Sequence, residues 1–129
     1  KDEVKIGMVV LEKNYLVGQV IEVNYTTSRA ILISDLNSNI PVVIEPGGFQ
    51  SILSGTGKDY GIIKYSKDEL NLVNNSFVYT SGLGGTFRAG LPIGKINNKI
   101  ENLGVQFFSD LSQLSYVKSH LLPTASQQP

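Results

Sequence analysis

The sequence predicts an all-β sandwich or barrel, on three observations. β-Branched and apolar runs of strand length recur about every eight to twelve residues, separated by glycines and Asn-rich turns. No amphipathic period of helical length runs along the 129 residues. The longest apolar runs, such as Met8-Val9-Val10-Leu11, are strand-sized and far short of the roughly 20 residues a membrane helix needs.

In chain order, Ile6 to Leu11 reads as the first strand and Leu16 to Val23 as the second. Strict alternation puts Val17, Ile21 and Val23 on one face of the second strand and Val20 on the other, and Gly18 inside it predicts a bulge or a close backbone approach. Arg29 to Ser34 is apolar on both faces and reads as a strand buried on both sides. Asp35-Leu36-Asn37-Ser38-Asn39 is a turn of residues that bond their own backbone. Pro41 then opens a strand to Glu45, where its missing N–H costs little. Ser51 to Leu53, Tyr60 to Tyr65, Phe77 to Thr80, Lys95 to Ile100, Val105 to Phe108 and Tyr116 to Leu121 complete the strands. Ser66 to Leu70 and Ser109 to Leu114 read as single helical turns, Asn74-Asn75 as a turn, and Pro123 to Pro129 as a terminal tail.

Composition narrows the function. Eleven Lys+Arg balance eleven Asp+Glu, which removes the broad positive field of a nucleic-acid binder. Hydrophobic residues at 41% can build a core. With no cysteine there is neither a disulfide framework nor a thiolate metal site, and the compartment stays open. The single histidine, His120, leaves little from which to build an imidazole site. Lys1 at the start, in place of Met, reads as a fragment or processed product of a longer protein.

The motifs that suggest chemistry fail on their details. Gly82-Leu83-Gly84-Gly85-Thr86-Phe87 follows a strand as a dinucleotide loop would, but Phe87 replaces the third glycine. Gly90, Pro92 and Gly94 then forbid the helix that would hold a pyrophosphate. Gly55-Thr56-Gly57-Lys58-Asp59 puts an acid where a phosphate loop needs Ser or Thr. The serines have no Gly-x-Ser-x-Gly elbow and only His120 as a base. Asp68 and Glu69 are adjacent, so on a helical turn they point apart. Asp35, Asn37 and Asn39 have calcium-loop spacing but no glycine at the sixth place and no bidentate Glu. No cofactor is predicted.

Four segments together resemble one family, the bacterial rod shape-determining protein MreC. They are Leu16 to Val23, Ser28 to Val42, Thr80 to Phe87 running on through Gly90-Leu91-Pro92-Ile93-Gly94-Lys95-Ile96, and Asp110 to Val117. Leu36, Asn74-Asn75 and Arg88-Ala89 depart from the family pattern, all in turns. The resemblance implies two small β-barrels, the second inserted into the first, loosely like the double barrel of chymotrypsin-like proteases without their triad. Residues 1–24 and 91–122 would form the first, residues 25–90 the second, and 123–129 the tail. Asp35, Asn37, Ser38, Pro41, Gly82, Gly84, Gly85, Gly90, Pro92 and Gly94 would be its structural turn positions.

The resemblance further implies a protein with no enzymatic role, held at the periplasmic face of the cytoplasmic membrane by an N-terminal helix outside this chain. It would self-associate as a dimer or filament and scaffold the elongation machinery with penicillin-binding protein 2, MreD, RodA and MreB. Contact candidates are Phe49, Leu83, Phe87 and Arg88. An aromatic in a glycine-rich loop is either a plug packed on the barrel or an anchor for a partner. The plug is favoured, because large exposed apolar groups are costly without a partner. Two alternatives remain open: a glycan-binding barrel with Tyr25, Tyr60 and Tyr65 as stacking platforms, and a chymotrypsin-like hydrolase.

Overall fold

The computed structural model describes residues 4–64, 74–100, 103–111 and 120–122. Among the described residues ten strands run in chain order: β1 Val9–Glu12, β2 Tyr15–Val23, β3 Ser28–Leu32, β4 Asn39–Glu45, β5 Phe49–Gly55, β6 Tyr60–Lys64, β7 Phe77–Thr80, β8 Pro92–Ile96, β9 Gly104–Phe107 and β10 His120–Leu122. They make an open four-stranded sheet, β10-β1-β2-β3, and a closed barrel, β4-β5-β6-β9-β8-β7. The all-β class holds. The barrel lies between β3 and β10 in the chain, so one unit is inserted into the other.

The strand pairing places the edges of that insertion differently from the expected residues 25–90. Ser28–Leu32 stays with the sheet, because Asn24 N–H bonds the Thr27 carbonyl at 2.7 Å and folds β3 straight back onto β2. Strands β8 and β9, expected in the first unit, close the barrel on β7 and β6. Gly94 permits that closure: a Cβ there would overlap the Gln106 carbonyl oxygen across the β8–β9 ladder.

The sheet begins with a two-residue hairpin. Lys13 and Asn14 both have positive φ, 53° and 70°, the conformation whose twist matches the flanking strands. Pairing then runs Leu11↔Leu16 and Val10↔Gly18, which leaves Val17 as the extra residue of a bulge. The bulge inverts the alternation. Leu16 enters the core shared with the barrel, while Val17 and Val20 pack with Val10 on the opposite face. The expected separation of Val17 from Val20 is therefore incorrect: strict alternation cannot cross a bulge. A second register shift, between Val20 and Glu22, sets Ile21 outward. Gly18 also makes the close approach its position suggested, since a Cβ there would sit 2.7 Å from the Ile31 carbonyl oxygen. Arg29 is exposed and Ala30, Ile31 and Leu32 only half-buried, because β3 is an edge strand rather than one covered on both sides.

One core serves both units. Val9, Leu11, Leu16 and Ile33 of the sheet unit join Ile40, Val42, Ile44, Leu53, Ile63, Val78, Ile93, Ile96 and Val105 of the barrel. Burying each such side chain contributes about 1.5–3 kcal/mol relative to exposure. The connection between the units is tied down as well. Asp35 Oδ1 accepts the Asn37 N–H at 2.8 Å, Gly57 N–H bonds the Ser34 carbonyl at 2.7 Å, and Gly55 N–H bonds the Ser38 carbonyl at 3.0 Å. Pro41 lies inside β4, and its carbonyl accepts from Ser81 just past the end of β7, so its missing N–H faces a place where the ladder has stopped. The Glu45–Pro46 peptide is cis.

The expected strand from Lys95 to Ile100 ends at Ile96, because Asn97 starts a turn: its carbonyl and Oδ1 accept the N–H groups of Ile100 and Lys99, both at 3.0 Å. The helical turn placed at Ser66 to Leu70, the tail 123–129 and Tyr65 lie outside the described residues, as do the second half of the turn at Ser109 to Leu114 and the strand residues before His120. No helix among the described residues is long and apolar enough to cross a membrane.

Candidate functional site

The sheet and the barrel share a core, and residues of both line a cleft of about 390 Å³. One wall is the sheet face carrying Gln19, Ile21, Ile31 and Ile33. The other is built from the start of β4, Asn37 to Pro41, and from the glycine-rich segment with Leu83, Gly84, Thr86 and Phe87. Among the described residues no charged side chain lines it. The nearest ion pair on the strands that form it is Arg29 Nε to Glu22 Oε1 at 2.8 Å, in open solvent.

The glycine-rich wall is held by one hydroxyl. Thr80, buried at the end of β7, donates through Oγ1 to the Arg88 carbonyl at 2.6 Å and accepts the Leu91 N–H at 2.9 Å. Its backbone N–H and C=O bond Leu91 and Gly90, both at 2.9 Å. The loop between is a short 3-10 turn, Leu83–Gly85, entered through Gly82 at φ 82°. The excursion begins against β4, where Ser81 N–H bonds the Pro41 carbonyl.

Several predicted residues meet here. Asn37, Ser38, Pro41, Leu83, Gly84 and Phe87, distant in sequence, line the same cleft. Leu83 is exposed at its mouth, 57% accessible. Phe87 is 6% accessible and packs in the core, the position of a plug, while also lining the floor of the cleft. Phe49 lies elsewhere, at the start of β5, with its ring over Gly47. Arg88 is exposed and does not line the cleft; its backbone carbonyl anchors the loop. Sequence reasoning missed Ile21, Ile31 and Thr86. For Ile21 the signal was hidden by the bulge.

It also missed an aromatic strip. Tyr15 and Phe108 have ring centroids 4.9 Å apart, Phe108 and Phe77 5.6 Å, and Phe77 and Tyr79 6.2 Å. The strip crosses from the sheet to the outer wall of the barrel. Phe77 and Tyr79 alternate with buried Val78 and Thr80, and that alternation was legible in the sequence.

Among the described residues, neither alternative chemistry gathers its side chains here. Tyr25 is fully exposed at the β2–β3 hairpin tip, in a hollow lined by Val4, Val23 and Asn24 to Ser28, without Tyr60. Among the described residues, no three His, Cys, Asp or Glu side chains come together as metal ligands. The side chain of His120 lies outside the described residues.

Comparison with known proteins points in one direction. The family model for the rod shape-determining protein MreC, barrel core, matches residues 1–118. The cell shape-determining protein MreC of Cereibacter sphaeroides is 32% identical over 120 residues, which are 92% of this chain and 40% of that protein. The chain thus spans well under half the length of that curated relative. The crystal structure of MreC from Pseudomonas aeruginosa is 29% identical with a TM-score of 0.66, covering 95% of this chain and 74% of that one. The fold also matches, at 17% identity and a TM-score of 0.73, a complex between penicillin-binding protein 2 and MreC from Helicobacter pylori, over 99% of this chain and 82% of that one.

Proposed function

This chain belongs to the MreC family of rod shape-determining proteins, and on that premise we propose that it is a non-catalytic scaffold of the cell-elongation machinery. It works by binding: it holds a peptidoglycan synthase in one arrangement and self-associates along the membrane. A scaffold of this kind can activate an enzyme only by binding one of its states more tightly than the other. The transpeptidase penicillin-binding protein 2 is the first partner, supported by the fold match to the Helicobacter pylori complex that contains one. MreD, RodA and MreB are further partners that the family implies. The chain would sit at the periplasmic face of the cytoplasmic membrane, tethered by a preceding helix.

The observation that carries the reading is the uncharged cleft with Leu83 exposed at its mouth. A large apolar side chain standing in solvent beside an apolar-walled groove marks a protein contact more readily than a site of reaction. The test is binding of the purified chain to the transpeptidase of the same organism, by calorimetry. Leu83→Asp should weaken it by about tenfold or more, since a buried unpaired charge at a contact costs at least about 1.4 kcal/mol. Unchanged binding by the variant removes the cleft from the interface, and absent binding by the parent chain removes this partner.

A further inference from the structure

We propose that the cleft receives an extended, uncharged segment of a partner protein, which adds as a fifth strand to the free edge of β3. The register of β2 and β3 leads to this. Ile33 N–H bonds the Val17 carbonyl at 3.0 Å, and Gly18↔Leu32, Gln19↔Ile31 and Val20↔Ala30 continue the same pairing. In an antiparallel ladder, bonded and non-bonded pairs alternate. Ile31 therefore bonds β2, while the backbone groups of Ala30 and Leu32 point away from it. Val20 agrees: its N–H and C=O are engaged on the other side, with Met8 and Gly7, both at 2.8 Å.

Among the described residues the edge is thus open. The Leu32 carbonyl is taken by the Asp35 N–H at 3.0 Å. The N–H groups of Ala30 and Leu32 and the carbonyl of Ala30 have no partner among the described residues. Exposed edges are normally blunted by proline, lysine, inward charges or a covering segment. Ser28-Arg29-Ala30-Ile31-Leu32 has none of the first three in its last three residues, and Arg29 is already engaged by Glu22.

Charge selects the occupant. An added strand would place alternate side chains beside Ile31 and toward Ile33, on the face that looks across to Leu83 and Gly84, where among the described residues only amide, hydroxyl and apolar groups wait. A charged side chain entering there would lose water and find no counter-ion. Pairing two copies of β3 about Ala30 would set each Arg29 opposite the other copy's Ile31, which disfavours self-pairing. The mode is β-strand addition: backbone bonds give affinity and side-chain pockets give selectivity. It rests on the scaffold reading for the existence of a partner and adds the chemistry of the segment that docks.

The probe is a terminally blocked Thr-Val-Thr-Val-Thr peptide, titrated into the chain while amide hydrogen exchange is followed by NMR. At saturation, exchange at Ala30 and Leu32 should slow by about tenfold or more, and replacing both valines of the peptide with lysines should weaken binding about tenfold. Ala30→Pro removes an N–H that β2 does not use, and Leu83→Asp charges the opposite wall; each should weaken the peptide by about tenfold with the spectrum otherwise folded. Should Ala30→Pro fail to fold, Leu83→Asp decides alone. No protection at millimolar peptide overturns the proposal. So does protection that survives the variants, protection by chitotetraose instead of peptide, or protection that rises with the concentration of the chain alone. If the peptide fails while the intact transpeptidase still binds, strand addition is wrong and the scaffold reading stands.

Discussion

The Thr80 hydroxyl donates to the Arg88 carbonyl across 2.6 Å and closes the glycine-rich excursion between β7 and β8 into a loop of fixed mouth. The same oxygen accepts the Leu91 N–H, in a residue that is 1% accessible. Thr80→Val keeps the shape and deletes both bonds, leaving the part-buried Arg88 carbonyl and the buried Leu91 N–H without their side-chain partner. The loss should be about 1–3 kcal/mol in urea unfolding, with the slope unchanged. A loss below about 0.5 kcal/mol would mean that the two hydroxyl bonds of this residue are not what holds the loop.

Phe87 and Leu83 sit four residues apart and should answer mutation in opposite ways. Phe87 fills the shared core, so Phe87→Ala should cost about 3–5 kcal/mol and weaken any partner only by unfolding the loop. Leu83 stands in solvent, so Leu83→Ala should change stability by no more than about 0.5 kcal/mol and act on binding alone. Chemical denaturation and calorimetry on the two variants separate plug from contact. A stable Phe87→Ala with lost binding would reverse the assignment.

The pair also shows what a sequence can disclose. The glycines on either side of Leu83 announce a turn, and the burial cost of an isolated Phe favours a plug, so both were legible locally. The cleft was not, because its other wall is set by a bulge. Val17 and Ile21 are each an unpaired residue of β2, and these two shifts decide which face its later side chains turn toward. Likewise the membership of β3, β8 and β9 depends on pairings between segments far apart in the chain, while strand existence depends on nearby residues alone. Pro41 was readable as a strand residue, but that β7 ends just before it is a fact of register.

Gly94 carries the closure of the barrel, and its role is steric rather than conformational. An added methyl would overlap the Gln106 carbonyl oxygen and approach a Val105 methyl to 3.0 Å. Both obstacles belong to β9, and the first is backbone, which cannot swing aside. Gly94→Ala should therefore cost about 1–3 kcal/mol, the range of overpacked cores, and should speed amide exchange in β8 and β9 before it does so in β1 and β2. Uniform loosening of both units would show that the core couples them too tightly for the barrel to open alone. A neutral result would mean that the β8–β9 ladder has slack this close approach does not suggest.

The final test concerns how the two units are joined. Tyr15 begins β2, Phe108 follows β9, and their rings meet at 4.9 Å with planes tilted by 39°. Phe108 also takes the edge of Phe77 at 5.6 Å, so it lies between a sheet residue and a barrel residue. Tilted and edge-on rings of this kind add about 0.5–1.5 kcal/mol beyond the area they bury. A double-mutant cycle of Tyr15→Ala and Phe108→Ala should show a coupling of that size, read from urea midpoints. The Tyr15 and Tyr79 pair, with Phe108 and Phe77 between them, should be additive to within about 0.3–0.5 kcal/mol. Coupling in the first cycle and not in the second identifies the Tyr15–Phe108 contact as a staple across the junction. Additivity in both would leave the shared aliphatic core of Val9, Leu11, Leu16 and Ile33 as what fixes the sheet on the barrel, and the aromatic strip as surface available to a partner.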